Sequence, residues 1–65
     1  MKHTILRLPL VKLVTGLSRS TIYARVAEGT FPAPVGLGGR AVGWLEAEVQ
    51  EWLDRRVAAS RESKV

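Results

Sequence analysis

The fold is decided by the stretch Gly16-Leu17-Ser18-Arg19-Ser20-Thr21-Ile22-Tyr23. Glycine takes the left-handed conformation that ends a helix, and a serine two residues later can cap the next helix with its hydroxyl. Leu17 and Ile22 have the spacing of a hydrophobic staple, which fixes the angle at which the chain enters that second helix. The stretch therefore predicts a helix-turn-helix that extends from Leu10 to Glu28.

The helix before the turn is predicted from Pro9 or Leu10 to Thr15, because proline suits a first helical turn, where its missing N–H is not needed. Its apolar residues recur with helical spacing, which predicts that a single face is buried. That face consists of Leu10, Leu13, Val14 and Leu17.

The helix after the turn is predicted to begin at its cap, Ser18, and to stop at Gly29. Within it, Ile22 and Val26 are spaced to face the core. A step of about 100° per residue then places a set of small residues on the opposite face, flanked by two larger polar ones. The small residues are Ser20, Ala24 and Ala27, and the flanking ones are Thr21 and Tyr23.

The chain beyond Gly29 predicts a hairpin and a third helix. Prolines within residues 31–34 favour extended backbone, and the pair Gly38-Gly39 is typical of a two-residue turn with Arg40 at or beside its tip. The third helix is predicted from Leu45 to Ala59, on apolar residues at helical spacing: Leu45, Val49, Trp52, Leu53 and Val57. The predicted fold is mainly α with a small β-hairpin, a winged helix-turn-helix in the order α-α-β-β-α. We expect one domain over residues 5–60, with flexible ends at residues 1–4 and 61–65.

Composition and charge narrow the function. The chain has 65 residues, which leaves little room for a substrate cleft beside a core. It has no cysteine, which excludes disulfides. Its apolar runs are too interrupted for a signal-peptide core or a membrane span, so we expect a cytoplasmic protein with no membrane partner. Residues 1–45 carry a net charge of +5 and residues 46–65 a net charge of −1. A positive field attracts nucleic acid, although a merely soluble basic surface has the same composition.

The function that these elements favour is binding of double-stranded DNA. A major groove about 12 Å wide admits one helix, whose first residues meet the base edges. We expect Arg19 to read a guanine through O6 and N7, with a solvated surface arginine as the alternative. Ser18, Ser20 and Thr21 also belong to the candidate DNA-binding site. Ser20 and Thr21 are candidate phosphate or base ligands, unless they only support the cap formed by Ser18.

Four further residues complete the candidate DNA-binding site. Tyr23 could contact the DNA backbone or a thymine methyl, or pack half-buried. Arg25 lies nearer the core side and could reach a phosphate or Glu28. Arg40 could enter a minor groove or hold a phosphate, or remain free at the hairpin tip. Lys12 is a phosphate contact at most.

Other chemistry is not indicated. The run at residues 36–40, Gly-Leu-Gly-Gly-Arg, lacks the parallel strand, the lysine and the following helix of a phosphate-binding loop. His3 has no cysteine or second histidine with which to hold a metal. We expect the carboxylates of the third helix to lie on a solvent-exposed face rather than to act as a catalytic pair. We expect Trp44 and Trp52 to be core residues. We therefore expect no enzyme, no cofactor, no metal site and no small-molecule substrate.

Five segments together resemble one family. They are Arg7-Leu8-Pro9, Thr15-Gly16-Leu17-Ser18-Arg19-Ser20-Thr21-Ile22-Tyr23, Glu28-Gly29-x-Phe31-Pro32-x-Pro34-Val35, Leu37-Gly38-Gly39-Arg40-Ala41-Val42-Gly43-Trp44 and Val49-x-x-Trp52-Leu53. In this order they resemble the AlpA-type prophage regulators over residues 5–60. The resemblance implies a small winged-helix domain akin to the MerR-type and excisionase DNA-binding domains. It makes the helix that begins at Ser18 the recognition helix and the Gly38–Gly39 hairpin the wing. It also implies transcriptional regulation of prophage or integrated-element genes, often those for integration and excision.

Three hypotheses are compatible with the sequence. The first is a sequence-specific transcriptional regulator, with the second helix in a major groove and the wing on flanking DNA. The second is an excisionase-like architectural factor that bends DNA and recruits an integrase. The third is a protein-interaction module carried by the charged third helix. A single module covers only roughly 600–1,000 Å² of protein surface on DNA, so we expect a homodimer, tandem sites or a partner such as RNA polymerase or an integrase.

Overall fold

Three helices and three short strands make up the computed structural model, which describes residues 2–62. In chain order they are β1 (Ile5–Leu6), α1 (Leu8–Thr15), α2 (Arg19–Glu28), β2 (Val35–Gly38), β3 (Ala41–Leu45) and α3 (Glu46–Glu62). The mainly helical fold with a β-hairpin is confirmed, and the order from α1 onward is that of a winged helix-turn-helix. Strand β1 was not predicted.

The buried face of α1 differs from the predicted one. Val11 is fully buried and Leu8 packs against the core, whereas Leu13 is 76% exposed. Leu10 and Val14 are also exposed, so of the predicted face only Leu17, beyond the helix, packs against the core. The reason is that α1 is apolar on almost every side, and its contacts with β1, β3 and α2 select which side is buried.

The sheet is antiparallel with the strand order β1-β3-β2. Strand β3 lies in the centre because β1 pairs with its end, through Ile5 opposite Leu45 and Leu6 opposite Trp44. The hairpin between β2 and β3 is confirmed, but its turn is shifted by one residue from the predicted pair. Gly38 pairs with Ala41, so Gly39 and Arg40 form the two-residue connection.

Gly43 in β3 is the point of closest approach between strands. It is buried, and a Cβ atom there would overlap the Ile5 Cγ2 atom and lie 3.1 Å from the Leu6 carbonyl oxygen. Only glycine, which has no Cβ, lets β1 lie against β3 at this distance. The residue after it, Trp44, points to the opposite face of β3 and is fully buried in the core.

Helix α3 begins at Glu46 and ends at Glu62, three residues beyond the predicted end. Leu45 belongs to β3 instead, because its backbone pairs with Ile5. Val49 is buried and Trp52 and Leu53 pack against the core, whereas Val57 is exposed. Thr4 belongs to the N-terminal end that was predicted to be flexible. Its carbonyl oxygen accepts a hydrogen bond from the Glu46 N–H at 2.8 Å. Residues 1 and 63–65 lie outside the described residues.

Nearly every element contributes one side chain to the core. The buried residues are Leu6 from β1, Val11 from α1, Ile22 from α2, Phe31 from the loop after α2, Trp44 from β3 and Val49 from α3. The predicted core position of Trp44 is confirmed, and Trp52 packs at the edge of the same cluster. Within residues 2–62, no helix combines the length and the hydropathy needed to cross a bilayer.

Both indoles fix the loop that follows α2. The Trp44 Nε1–H donates to the Pro32 carbonyl oxygen at 2.9 Å, and the Trp52 Nε1–H donates to the Thr30 carbonyl oxygen at 2.7 Å. Between these two bonds, the Phe31 ring meets the Trp52 ring edge to face at 4.8 Å. The end of α2 is therefore tied to both β3 and α3.

Candidate nucleic-acid interface

The start of α2 is organised by Ser18. Its backbone is extended, and its Oγ accepts a hydrogen bond from the Thr21 N–H at 3.2 Å. The same hydroxyl donates to the Thr21 Oγ1 at 3.0 Å, so threonine takes the position that glutamate or glutamine takes in a capping box. The predicted cap is confirmed, and the half-buried Thr21 is part of it.

The turn before α2 is short and fixed at both ends. Gly16 has a left-handed backbone, with φ of 73°, and its N–H donates to the Lys12 carbonyl oxygen at 2.9 Å. Thr15 donates its hydroxyl to the Val11 carbonyl at 2.6 Å and accepts from the Leu17 N–H at 3.2 Å. Because the turn has its own hydrogen bonds and Leu17 packs on the core, the angle between α1 and α2 is constrained.

The outward face of α2 consists of small side chains, as the periodicity predicts. Ile22 is fully buried and Val26 packs against the core, while Ser20, Ala24 and Ala27 are exposed. A helix surface without bulky side chains allows its backbone to approach another surface closely. This is the geometry that a helix needs to enter a groove.

Arg19 and Tyr23 form a pair one helical turn apart, beside this face of small residues. The Arg19 Cζ lies 5.5 Å from the centroid of the Tyr23 ring, within the range of a cation–π contact. Within residues 2–62 the Arg19 guanidinium makes no hydrogen bond or ion pair. Its N–H donors are therefore free to bind a ligand.

Tyr23 is in turn supported from inside the molecule. Its ring centroid lies 5.9 Å from that of Trp44, with the two planes at 64°, an edge-to-face arrangement. Tyr23 is 37% exposed, so it is both a packing residue and a surface residue. Of the two roles that the sequence offered, the structure shows packing against Trp44, and the DNA contact stays a prediction.

Arg25 lies on the side of α2 nearer the core. It is half-buried, and its Nε is buried without a hydrogen-bond partner. The predicted alternative of a pair with Glu28 is not formed, because the Glu28 carboxylate accepts instead from the Thr30 hydroxyl at 3.4 Å. The described part of the chain therefore leaves the charge of Arg25 unpaired.

Arg40 and Lys12 lie away from α2 in sequence. Arg40 occupies the second position of the hairpin turn, and its side chain is exposed. Lys12 is exposed in the middle of α1. The only ion pair among residues 2–62 joins Arg55 to Glu51 within α3, so Arg40 and Lys12 are also unpaired. The structure does not bring these two residues into contact with Arg19.

Helices α1 and α2 and the hairpin each carry a net positive charge. These carry Lys12, Arg19, Arg25 and Arg40, with Glu28 as the acidic residue among them. Helix α3 carries most of the carboxylates instead. Within residues 2–62 no cluster of histidine and acidic side chains could hold a metal ion.

Sequence reasoning missed two features that support this surface. Strand β1 has only two residues, which is too short for a periodic signal. The contact between Tyr23 and Trp44 joins residues 21 positions apart, and only the fold brings them together. The cation–π pair itself had a signal, since Arg19 and Tyr23 have the spacing of neighbours on a helix.

A capped second helix, a fixed turn and a hairpin define the chain as a winged helix-turn-helix protein. Residues 4–57 match the family described as "Prophage CP4-57 regulatory protein (AlpA)". The chain therefore belongs to the AlpA family, which confirms the resemblance seen in the sequence.

Two relatives show how much of the chain is shared. The "Uncharacterized protein ORF88" of enterobacteria phage P4 is 48% identical over 60 residues, which cover 92% of this chain and 68% of that protein. The "DNA-binding transcriptional activator AlpA" of Escherichia coli is 47% identical over 58 residues, covering 80% of this chain and 83% of that protein. Both alignments are long enough to include most of the fold described above.

Proposed function

We propose that this protein binds double-stranded DNA with sequence specificity and regulates transcription of prophage or integrated-element genes. The observation that carries the proposal is the start of α2, where Arg19 is exposed, unpaired and one turn before a supporting ring. Membership of the AlpA family supports it, as does a relative that is named a DNA-binding transcriptional activator. We infer a non-enzymatic, cytoplasmic regulator, with activation as the expected sign.

In this mechanism α2 lies in the major groove. Its outer face of small residues permits close approach, and Arg19 donates to the O6 and N7 atoms of a guanine. Ser20 is exposed at the same end of the helix, and its hydroxyl, which also lies 3.3 Å from the Ser18 hydroxyl, contacts a base edge or phosphate. Ser18 and Thr21 act mainly through the cap, because their hydroxyls already bond to each other.

The wing contacts DNA beside the same groove. Arg40 directly precedes β3 and is four residues before Trp44, which corresponds to about 13 Å of extended chain. The Trp44 ring meets α2 at Tyr23. Arg40 is therefore near enough to α2 to reach the same DNA duplex. We assign to Arg40, Arg25 and Lys12 contacts with phosphates, which strengthen binding without reading sequence.

In-vitro selection from a pool of random DNA duplexes tests the proposal. We expect the protein to enrich one sequence motif and to prefer the enriched duplex to a scrambled one by about 10³-fold. Binding that is equally strong on both duplexes and is lost with added salt would indicate only a basic surface. No binding to either duplex at low salt would favour the protein-interaction hypothesis.

The architectural role is tested on the same enriched duplex. A circular-permutation assay places the site at different positions along a fragment and detects bending from the migration of the complex. For a transcriptional regulator we expect reporter expression to depend on the protein, whereas excision in vitro by purified integrase, which needs no gene expression, is unaffected. A strongly bent complex that stimulates excision would identify the excisionase-like role instead.

A further inference from the structure

Three side chains form a continuous series from the core to the surface of α2. Trp44 is fully buried, and its Nε1–H is held by the Pro32 carbonyl oxygen at 2.9 Å. The Tyr23 ring stands edge to face against Trp44 at 5.9 Å, and the Arg19 Cζ lies over the Tyr23 ring at 5.5 Å. Arg19 is thus connected, through the Tyr23 ring, to Trp44, whose side chain is held in place by the fold.

This series matters because arginine has many rotamers. A free arginine in the first turn of a helix would have to lose most of that freedom when it binds. A contact that restricts the side chain before binding raises affinity by reducing this loss. The guanidinium is planar and stacks on aromatic faces, and the Arg19 N–H donors remain unpaired within residues 2–62.

We propose that Tyr23 is a positioning residue: supported by Trp44, its ring holds Arg19 in the orientation that reads DNA. This inference rests on the proposed function. It goes further because Tyr23 acts on DNA binding by orienting Arg19 with its ring. The tyrosine hydroxyl is not required to contact DNA.

Two substitutions separate these actions. Tyr23→Phe keeps the ring and removes the hydroxyl, whereas Tyr23→Leu removes the ring and keeps an apolar side chain. If the ring positions Arg19, Tyr23→Phe retains the parent's affinity for the enriched duplex. Tyr23→Leu weakens it by about two- to fivefold, the range of an exposed cation–π contact.

The orientation is first measured without DNA. In NMR spectra of the free protein, the Arg19 side-chain protons should be shifted upfield by the ring current of Tyr23. This shift should persist in Tyr23→Phe and disappear in Tyr23→Leu. Circular dichroism melts identify the temperature range in which every variant is folded, and all comparisons are made within it. Unshifted Arg19 protons in the parent would overturn the proposal.

The action through Arg19 is then measured by a double-mutant cycle on the enriched duplex. We expect Tyr23→Leu to cause no further loss of affinity once Arg19→Ala is present, because the residue that it positions is gone. Equal losses in both backgrounds would show that Tyr23 contacts DNA independently, and would overturn the proposal. If the parent itself prefers no duplex, the proposed function fails and the positioning role with it, while the NMR shift still reports the stack.

Discussion

Gly43→Ala adds only one methyl group, yet it should lower the free energy of unfolding substantially. The new Cβ atom would overlap the Ile5 Cγ2 atom and would lie 3.1 Å from the Leu6 carbonyl oxygen and 3.4 Å from the Leu37 Cδ1 atom. The backbone oxygen cannot turn away as a flexible side chain can, so β1 must move from β3. Overpacking of this kind destabilises a protein by about 1–3 kcal/mol.

The control is Gly36→Ala in the neighbouring strand. No atom lies within 4 Å of a Cβ atom placed there, so alanine should be neutral or should stabilise the fold through a more restricted unfolded chain. The free energy of unfolding is measured by urea denaturation. With a slope near 1 kcal/mol per M of urea for a chain this short, the midpoint of Gly43→Ala should fall by about 1–3 M.

A second substitution tests the cause of the effect. Ile5→Ala removes the Cγ2 atom that meets the new Cβ. The double variant with Ile5→Ala and Gly43→Ala should therefore lose less free energy of unfolding than the two single variants lose together, by at least about 0.5 kcal/mol. Equal midpoints for Gly43→Ala and Gly36→Ala would refute the close approach of β1. Strict additivity with Ile5→Ala would show that the Ile5 contact is not the cause.

Three further outcomes are expected. Ser18→Ala should lower the free energy of unfolding by about 1 kcal/mol, because the Thr21 N–H loses its partner, and an unchanged melting curve would contradict the cap. Val11→Ala should lower the free energy of unfolding by roughly 2 kcal/mol, whereas Leu13→Gln should change it by no more than about 0.5 kcal/mol. A larger loss for Leu13→Gln than for Val11→Ala in urea denaturation would show that α1 buries the face predicted from the sequence. Arg40→Ala should reduce the salt dependence of DNA affinity by about 0.9 in the slope of log K against log salt, and an unchanged slope would remove Arg40 from the phosphate contacts.

The turn and α2 could be predicted from the sequence because their signals are local. The cap at Ser18, the end at Gly29 and the burial of Ile22 depend on residues within one or two helical turns. The hairpin and Arg40 at or beside its tip could also be predicted, but not the position of the turn itself, which is shifted by one residue from Gly38-Gly39. That position depends on the irregular register between Gly36 and Gly38, which the pair of glycines does not reveal.

The buried face of α1 could not be predicted for a different reason. Leu8 and Val11 have helical spacing, and so do Leu10, Leu13 and Val14, so periodicity cannot choose between them. The choice is made by β1 and β3, and β1 has no signal of its own. The support of Tyr23 by Trp44 is likewise a long-range contact, so the sequence could name both residues but not join them.

The most direct test of the central claim compares Arg19→Ala with Arg61→Ala. Both substitutions remove one positive charge, but Arg61 lies in the last turn of α3, away from α2. On the enriched duplex, Arg19→Ala should bind roughly 5- to 150-fold more weakly than the parent and should lose preference at one base pair. Arg61→Ala should keep both the affinity and the preference of the parent. If Arg19→Ala binds the enriched duplex as tightly and selectively as Arg61→Ala, α2 does not read DNA through Arg19.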